Sequence, residues 1–201
     1  VVKDKAGNDV TAQFTVKTEN GNLVIKKRTV TLTSASDSKP YDGTALTNDK
    51  VTVGGEKFVE GEGAAYTVTG SQTLVGSSDN EFTYTLNAGT NADNYTIKQV
   101  YGTLKVTNRS EKEKFEITVK ANSVNATYDG KEHEAAGFET TEFTVNKQKY
   151  TVSGLTTESP KKTNAGTYTN NISGTAVVKD KAGNDVTAQF TVKTENGNLV
   201  I

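Results

Sequence analysis

The chain has no cysteine, methionine or tryptophan, and only one histidine and two prolines. Without cysteine there are no disulfide staples and no thiol chemistry. The lone histidine, His133, has no Gly-x-Ser-x-Gly elbow to serve, so no nucleophile triad can be assembled around it. Apolar residues are scarce, at 33% against roughly 45–50% in globular domains. No run approaches the ~18 apolar residues of a membrane helix, so membrane insertion is not expected, and no signal peptide is visible. Neither sign of charge prevails, with 23 Lys plus Arg against 24 Asp plus Glu. Nucleic-acid binding therefore lacks an electrostatic footing. A low apolar fraction can mean disorder. Here, however, the apolar residues alternate with polar ones between turn signals, and a thin β layer with solvated outer faces needs few of them.

What the chain does have is repetition. Residues 1–25 recur unchanged as residues 177–201. Repetition over tens of residues marks a recently duplicated array, and a catalytic site gains nothing from copies of itself. The chain reads as a little more than one period of a longer repetitive protein. A weaker period lies inside the long one. VTLTSASDSKPYDGTALT (30–47) aligns with ITVKANSVNATYDGKEHE (117–134), YTVTG (66–70) with YTVSG (150–154), and EFTYT (81–85) loosely with GTYTN (166–170). NADNYTIKQVYGTLKV (91–106) aligns with NDVTAQFTVKTENGNLVI (184–201). These matches define two modules, 28–108 and 113–201, joined by Asn108-Arg109-Ser110-Glu111-Lys112-Glu113. Residues 1–27 are then the tail of a preceding module of the second kind, and the modules alternate along the array.

Strands are expected throughout. Thr29 to Thr33 alternates with the period of a half-buried strand. So do Tyr66 to Thr69, Phe82 to Leu86, Tyr95 to Ile97, Thr103 to Val106, Phe115 to Val119, Phe143 to Val145, Tyr150 to Val152 and Phe190 to Val192. Thr and Val suit a pleated, half-exposed surface. Glu195-Asn196-Gly197-Asn198 predicts a type I′ hairpin turn, with Val100-Tyr101-Gly102 in the same place in the first module. No stretch carries a helical period; Glu132 to Ala136 is too short. Short strands at this spacing suggest an all-β chain of two immunoglobulin-like β-sandwich modules. A β-grasp fold is the alternative, and it requires a helix. Residues 1–25 lack the opening strands of their module, and an isolated hairpin is marginal in water. They are expected to be poorly packed or to pair with a neighbouring chain.

Tyr41-Asp42-Gly43 after an edge strand, with Asn94-Tyr95-Thr96-Ile97 and Gly102-Thr103-Leu104 closing the module, resembles the YDG/MBG-type tandem repeat modules of bacterial cell-surface adhesin proteins. The resemblance covers Val30 to Val106 well. The second module keeps Tyr128-Asp129-Gly130 but closes with Gln189-Phe190-Thr191-Val192 and Gly197-Asn198-Leu199-Val200. The resemblance implies a stalk or adhesive array attached to a bacterial cell wall, outside the cell. It supplies no catalytic residue, cofactor or ligand. The lack of disulfides accords with surface proteins of Gram-positive bacteria.

Candidate chemistry is sparse. Tyr-Asp-Gly reads as a structural turn, with Asp capping, Gly at positive φ and Tyr packing on an edge; a ligand-binding loop is the competing reading. His133 lies between Glu132 and Glu134, as a general base can, but it reads as a solvated surface residue. Asp180-Lys181-Ala182-Gly183-Asn184-Asp185 fails the calcium-loop pattern, because position 3 is Ala and Gly falls at 4; a calcium site built from loops of adjoining modules is a separate option. Asn94, Asn108, Asn125 and Asn171 head glycosylation triplets, as expected by chance in an Asn- and Thr-rich chain. A Lys–Asn isopeptide cross-link would need a lysine kept neutral by burial. The expected function is thus structural and non-enzymatic: a stalk whose partners are neighbouring repeats, projecting a distal binding domain. The alternative is weak binding of host glycans or glycoproteins by Tyr41, Tyr66, Tyr101, Tyr128, Tyr150 and Tyr168, strengthened by avidity.

Overall fold

A computed structural model describes all 201 residues. The chain is nearly all β, with three short 3₁₀ turns and no α-helix. The first module comprises β1 (Arg28–Ser34), β2 (Asp37–Pro40), β3 (Val51–Gly55), β4 (Ala64–Val68), β5 (Gly76–Asn80), β6 (Phe82–Leu86), β7 (Tyr95–Val100) and β8 (Gly102–Thr107). The second comprises β9 (Phe115–Lys120), β10 (Val124–Asn125), β11 (His133–Glu134), β12 (Glu142–Val145), β13 (Gln148–Thr157), β14 (Lys161–Lys162), β15 (Thr167–Asn170), β16 (Ile172–Asp180), β17 (Phe190–Glu195) and β18 (Gly197–Val200). Every strand pair lies within one of these two groups.

Two parallel tracks organise each module. β1 runs parallel to β7 from Arg28↔Tyr95 to Thr33↔Val100. Past a bend, their continuations β2 and β8 also run parallel. β9 and β17, then β10 and β18, repeat this in the second module. Antiparallel neighbours extend the tracks: β3 beside β1, β5 beside β8, and β15 beside β18. The modules differ in two ways: β11 and β14 form a two-stranded sheet in the second where the first has only a bridge between Leu46 and Gln72, and one strand changes neighbour. β3 joins β1, whereas β12 joins β13 in the sheet β12-β13-β16. Val30 and Leu32 of β1, Leu104 and Val106 of β8, and Ile117 and Val119 of β9 are buried while their neighbours face outward, as a period of two requires.

Three sequence expectations differ from the structure. The alignment of 66–70 with 150–154 fails: Val68 pairs with Phe82 as Thr157 pairs with Ile172, so 66–70 is the counterpart of 155–159. The segment around Asn196-Gly197 is not a hairpin turn. β17 and β18 do not pair with each other, and neither Gly102 nor Gly197 takes a positive φ. The chain instead crosses from one sheet to the next at these glycines. The alignment of 81–85 with 166–170 also fails. β15 pairs with β18 as β5 pairs with β8, so Gly76–Asn80 is the counterpart of Gly166–Asn170. This correction brings Asn80 and Asn170 into register, and both are fully buried. Asn80 donates from Nδ2 to the carbonyls of Ala35 and Asn48. Ser34 Oγ donates to Asn80 O and accepts from Gly102 N. These bonds hold the bend of the tracks. Asn170 does the same in the second module, donating to Asn122 O and accepting from Ser159 N.

The duplicated segment appears in two contexts. In both copies an aspartate, Asp4 or Asp180, accepts from the amide four residues on, and a 3₁₀ turn follows. Beyond that they diverge. Phe190 and Leu199 are buried in β17 and β18, whereas Phe14 is 57% exposed, Leu23 is 90% exposed, and residues 14–25 form no strand. Burying each such side chain contributes about 1.5–3 kcal/mol, which the first copy forgoes. Amide hydrogen exchange is expected to show protection over 190–200 and none over 14–25. Equal protection of both copies would mean that the first has found a strand partner on a neighbouring chain.

Candidate functional site: the joint between the modules

The first Tyr-Asp-Gly sits where the two modules meet. Asp42 Oδ1 accepts from Thr44 N at 2.8 Å, which closes the turn, and also from Lys39 Nζ at 2.8 Å. Burial works against ionisation of Asp42, but the Lys39 and Thr44 hydrogen bonds outweigh it and hold the carboxyl below its ordinary range. Gly43 has φ +82, and a side chain there would run into Tyr150 and Gln148 of the second module. Tyr41 is 1% exposed, its hydroxyl 3.5 Å from that of Tyr150. Burial, then the Tyr150 hydroxyl, push the Tyr41 phenol far above its usual titration range, so it stays neutral.

The joint is apolar at its centre. Tyr41, Leu46, Leu104 and Val106 share one buried cluster with Ile117, Val119, Tyr150, Val152, Val178, Val186 and Phe190. The first module's own core, by contrast, is a separate set of Val30, Leu32, Phe82 and Tyr95. Tyr150 meets Phe190 edge-on at 4.8 Å between centroids. Leu74 and Val75 of the first module line a cleft with Val186 and Ala188 of the second.

The linker is part of this structure. Arg109 donates from Nη1 to Tyr41 O at 3.0 Å and from Nε to Glu113 O, with its guanidinium 4.2 Å above the Phe115 ring. A cation over an aromatic face contributes about 0.5–2 kcal/mol as it is desolvated. The Arg109 amide donates to Gln189 Oε1 at 3.0 Å, and Gln189 Nε2 donates to Asn108 Oδ1 at 2.6 Å. Gln189 is 3% exposed, so these bonds also satisfy a buried amide. The sequence places Phe115 in a strand, Gln189 in the closing motif and Arg109 in a charged linker, and nothing in it assigns them a shared role at the joint.

The second Tyr-Asp-Gly has the same turn and different surroundings. Asp129 Oδ1 accepts from Lys131 N and lies 2.9 Å from His133 Nε2. The Lys131 amide, then His133, hold the Asp129 carboxyl below its ordinary range. Gly130 has φ +76 with open space around it, and Tyr128 is 59% exposed. His133 is half-buried against Asp129, so its partner is neither Glu132 nor Glu134.

The remaining candidates resolve as follows. Of the six tyrosines considered for sugar stacking, Tyr41 and Tyr150 are buried and Tyr66 and Tyr168 half-buried; Tyr101 and Tyr128 are exposed. Asp180 spends its carboxylate on Ala182 N, Asn184 N and Asn184 Nδ2, and no three acidic or histidine side chains converge on a metal-sized space. The buried amides of Asn80 and Asn170 bond backbone groups and not lysines, which is not the arrangement an isopeptide bond needs. No helix is long and apolar enough to cross a membrane. No family model, no curated protein and no solved structure matches the chain.

Proposed function

We propose that the chain is a structural repeat region, the stalk of a bacterial cell-surface adhesin of the YDG/MBG type, attached to the cell wall and holding a distal binding domain away from it. The observation that carries this reading is the joint. A mechanical spacer needs modules that resist bending against each other, and here one apolar cluster spans both modules while Arg109 and Gln189 brace the linker. The partners in this reading are neighbouring repeats, and its action is non-enzymatic. The resemblance that suggests a bacterial surface rests on Tyr41-Asp42-Gly43, Asn94-Tyr95-Thr96-Ile97 and Gly102-Thr103-Leu104. Within the all-β class, we read each module as an immunoglobulin-like two-layer variant whose tracks pair in parallel. The β-grasp alternative requires a packed helix, and the chain has no α-helix. Of the six tyrosines on which host glycan or glycoprotein binding by the repeats would rest, only Tyr101 and Tyr128 are open rings.

Small-angle scattering is the test. A stalk predicts rod-like dimensions for residues 28–201 that lengthen by a constant step with each added module. A compact particle, or a step that varies with solution conditions as a flexible hinge would give, overturns the reading.

A further inference from the structure

We propose that the end of the second module around Tyr128 is a second, chemically different joint, built to seat a module of the first kind, so that the two kinds of module can only alternate. This rests on the stalk reading for its purpose, but its evidence is separate. Tyr128 occupies the position of Tyr41, with the same aspartate-closed turn and the same positive-φ glycine. Tyr41 is 1% exposed and Tyr128 is 59% exposed. The difference is the module that lies against Tyr41.

The sequence itself names the occupant. The first copy of the repeated segment closes a second-type module at Ile25 and runs through Lys26-Lys27 into Arg28, where β1 begins. A module of the first kind therefore follows one of the second kind. Three Cα steps from Ile25 to Arg28 span at most about 10 Å. The connection in the formed joint, Thr107 to Lys114, is several residues longer and has room to fold into the Arg109 bracket. With only two lysines between strands, the incoming module has to sit directly on the end of the last strand, beside the Tyr128 turn.

The surfaces differ in chemistry as alternation requires. In the formed joint, Leu74 and Val75 line one cleft with Val186 and Ala188. By the register of β5 with β15, Leu74 and Val75 correspond to Asn164 and Ala165 of the second module. By the 3₁₀ turns that precede β7 and β17, Val186 and Ala188 correspond to Asn91 and Asp93 of the first module, both exposed. The Leu74 and Val186 positions of the formed joint are thus held by Asn164 and Asn91 in the second one, both polar. A second-type module seated on Tyr128 would press Val186 against Asn164 and leave a buried amide without a partner. That mismatch disfavours the wrong order.

The test extends residues 1–201 after Ile201 with a copy of Lys26–Asn108 whose own Tyr41 and Tyr101 are replaced by Phe, and measures the labelling of each tyrosine by a nitrating reagent with peptide mass readout. Tyr128 is expected to lose its labelling on extension, approaching Tyr41, while Tyr101 of residues 1–201 labels as before. A control extension with Lys-Lys followed by Phe115–Ile201, in which the copy's own Tyr128 is replaced by Phe so that the peptide reports residues 1–201 alone, is expected to leave Tyr128 reactive. Undiminished labelling of Tyr128 in the first extension, or equal protection in both, overturns the proposal. Scattering on the same samples reports length, so a stalk that lengthens with Tyr128 still reactive refutes the joint alone. Protection of Tyr128 in a particle that does not lengthen supports the joint and refutes the stalk.

Discussion

Replacing Tyr41 with alanine is expected to uncouple the two modules, so that one cooperative thermal transition becomes two. Tyr41 belongs to the first module by sequence but is buried in the cluster that contains Tyr150, Val186 and Phe190 of the second. Truncating a buried aromatic ring costs about 3–5 kcal/mol, through lost transfer energy and the cavity left behind. Here the cost falls on the contact between modules, because the Val30, Leu32, Phe82 and Tyr95 core is separate. Tyr41→Phe keeps the ring and removes only a hydroxyl 3.5 Å from Tyr150, and is expected to change stability by less than about 1 kcal/mol. Tyr128→Ala, at an exposed ring, is expected to leave the melting curve of this chain unchanged. Scanning calorimetry checks all three. A single unchanged transition in the Tyr41→Ala protein would mean that the joint does not couple the modules.

The second large effect is expected at Gly197, and it comes with an internal control. An added Cβ at Gly197 would press on the backbone carbonyls of Ala121 and Asn122, and one at Gly102 on those of Ser34 and Ala35. The amides of Ala121 and Asn122 donate to Glu195 O and Gly137 O, and backbone pinned in this way cannot move aside as a flexible side chain can, so Gly197→Ala is expected to destabilise the second module by about 3 kcal/mol. Gly21 occupies the same place in the first copy of the repeat, with nothing within 4 Å of an added Cβ. Gly21→Ala is therefore expected to be silent. Denaturant unfolding of the two variants compares one substitution in one local sequence. Equal midpoints would refute the claim that strand crossing, rather than turn chemistry, requires this glycine.

That pair of glycines marks the limit of what the local sequence specifies. Asn196-Gly197 has the composition of a hairpin turn, and the hairpin was the natural expectation. What decides against it is the parallel pairing of β17 with β9 and of β18 with β10, with partners 75 residues away in the chain that no local pattern specifies. The burial of Asn80 and Asn170 is not legible in the sequence for a related reason. Their register becomes visible only once β5 and β15 are matched through β8 and β18. The Tyr-Asp-Gly turns were legible as turns, because aspartate capping and a positive-φ glycine are contained within a few residues. Whether the tyrosine is buried was not legible, since that depends on the module opposite.

The repeated segment separates the two kinds of information within one molecule. Its amino-acid order by itself determines the Asp4 and Asp180 turns and the 3₁₀ turns that follow, in both copies, because every hydrogen bond involved closes over a few residues at little loop entropy. The β pattern of the rest of the chain was likewise legible from alternation at Val30, Leu32, Ile117 and Val119. Tertiary structure alone decides that Phe190 and Leu199 are buried in strands while Phe14 and Leu23 lie open to water. A strand's backbone groups and apolar face find their partners on other strands, so a sequence competent to form one does so only where those strands are present to meet it.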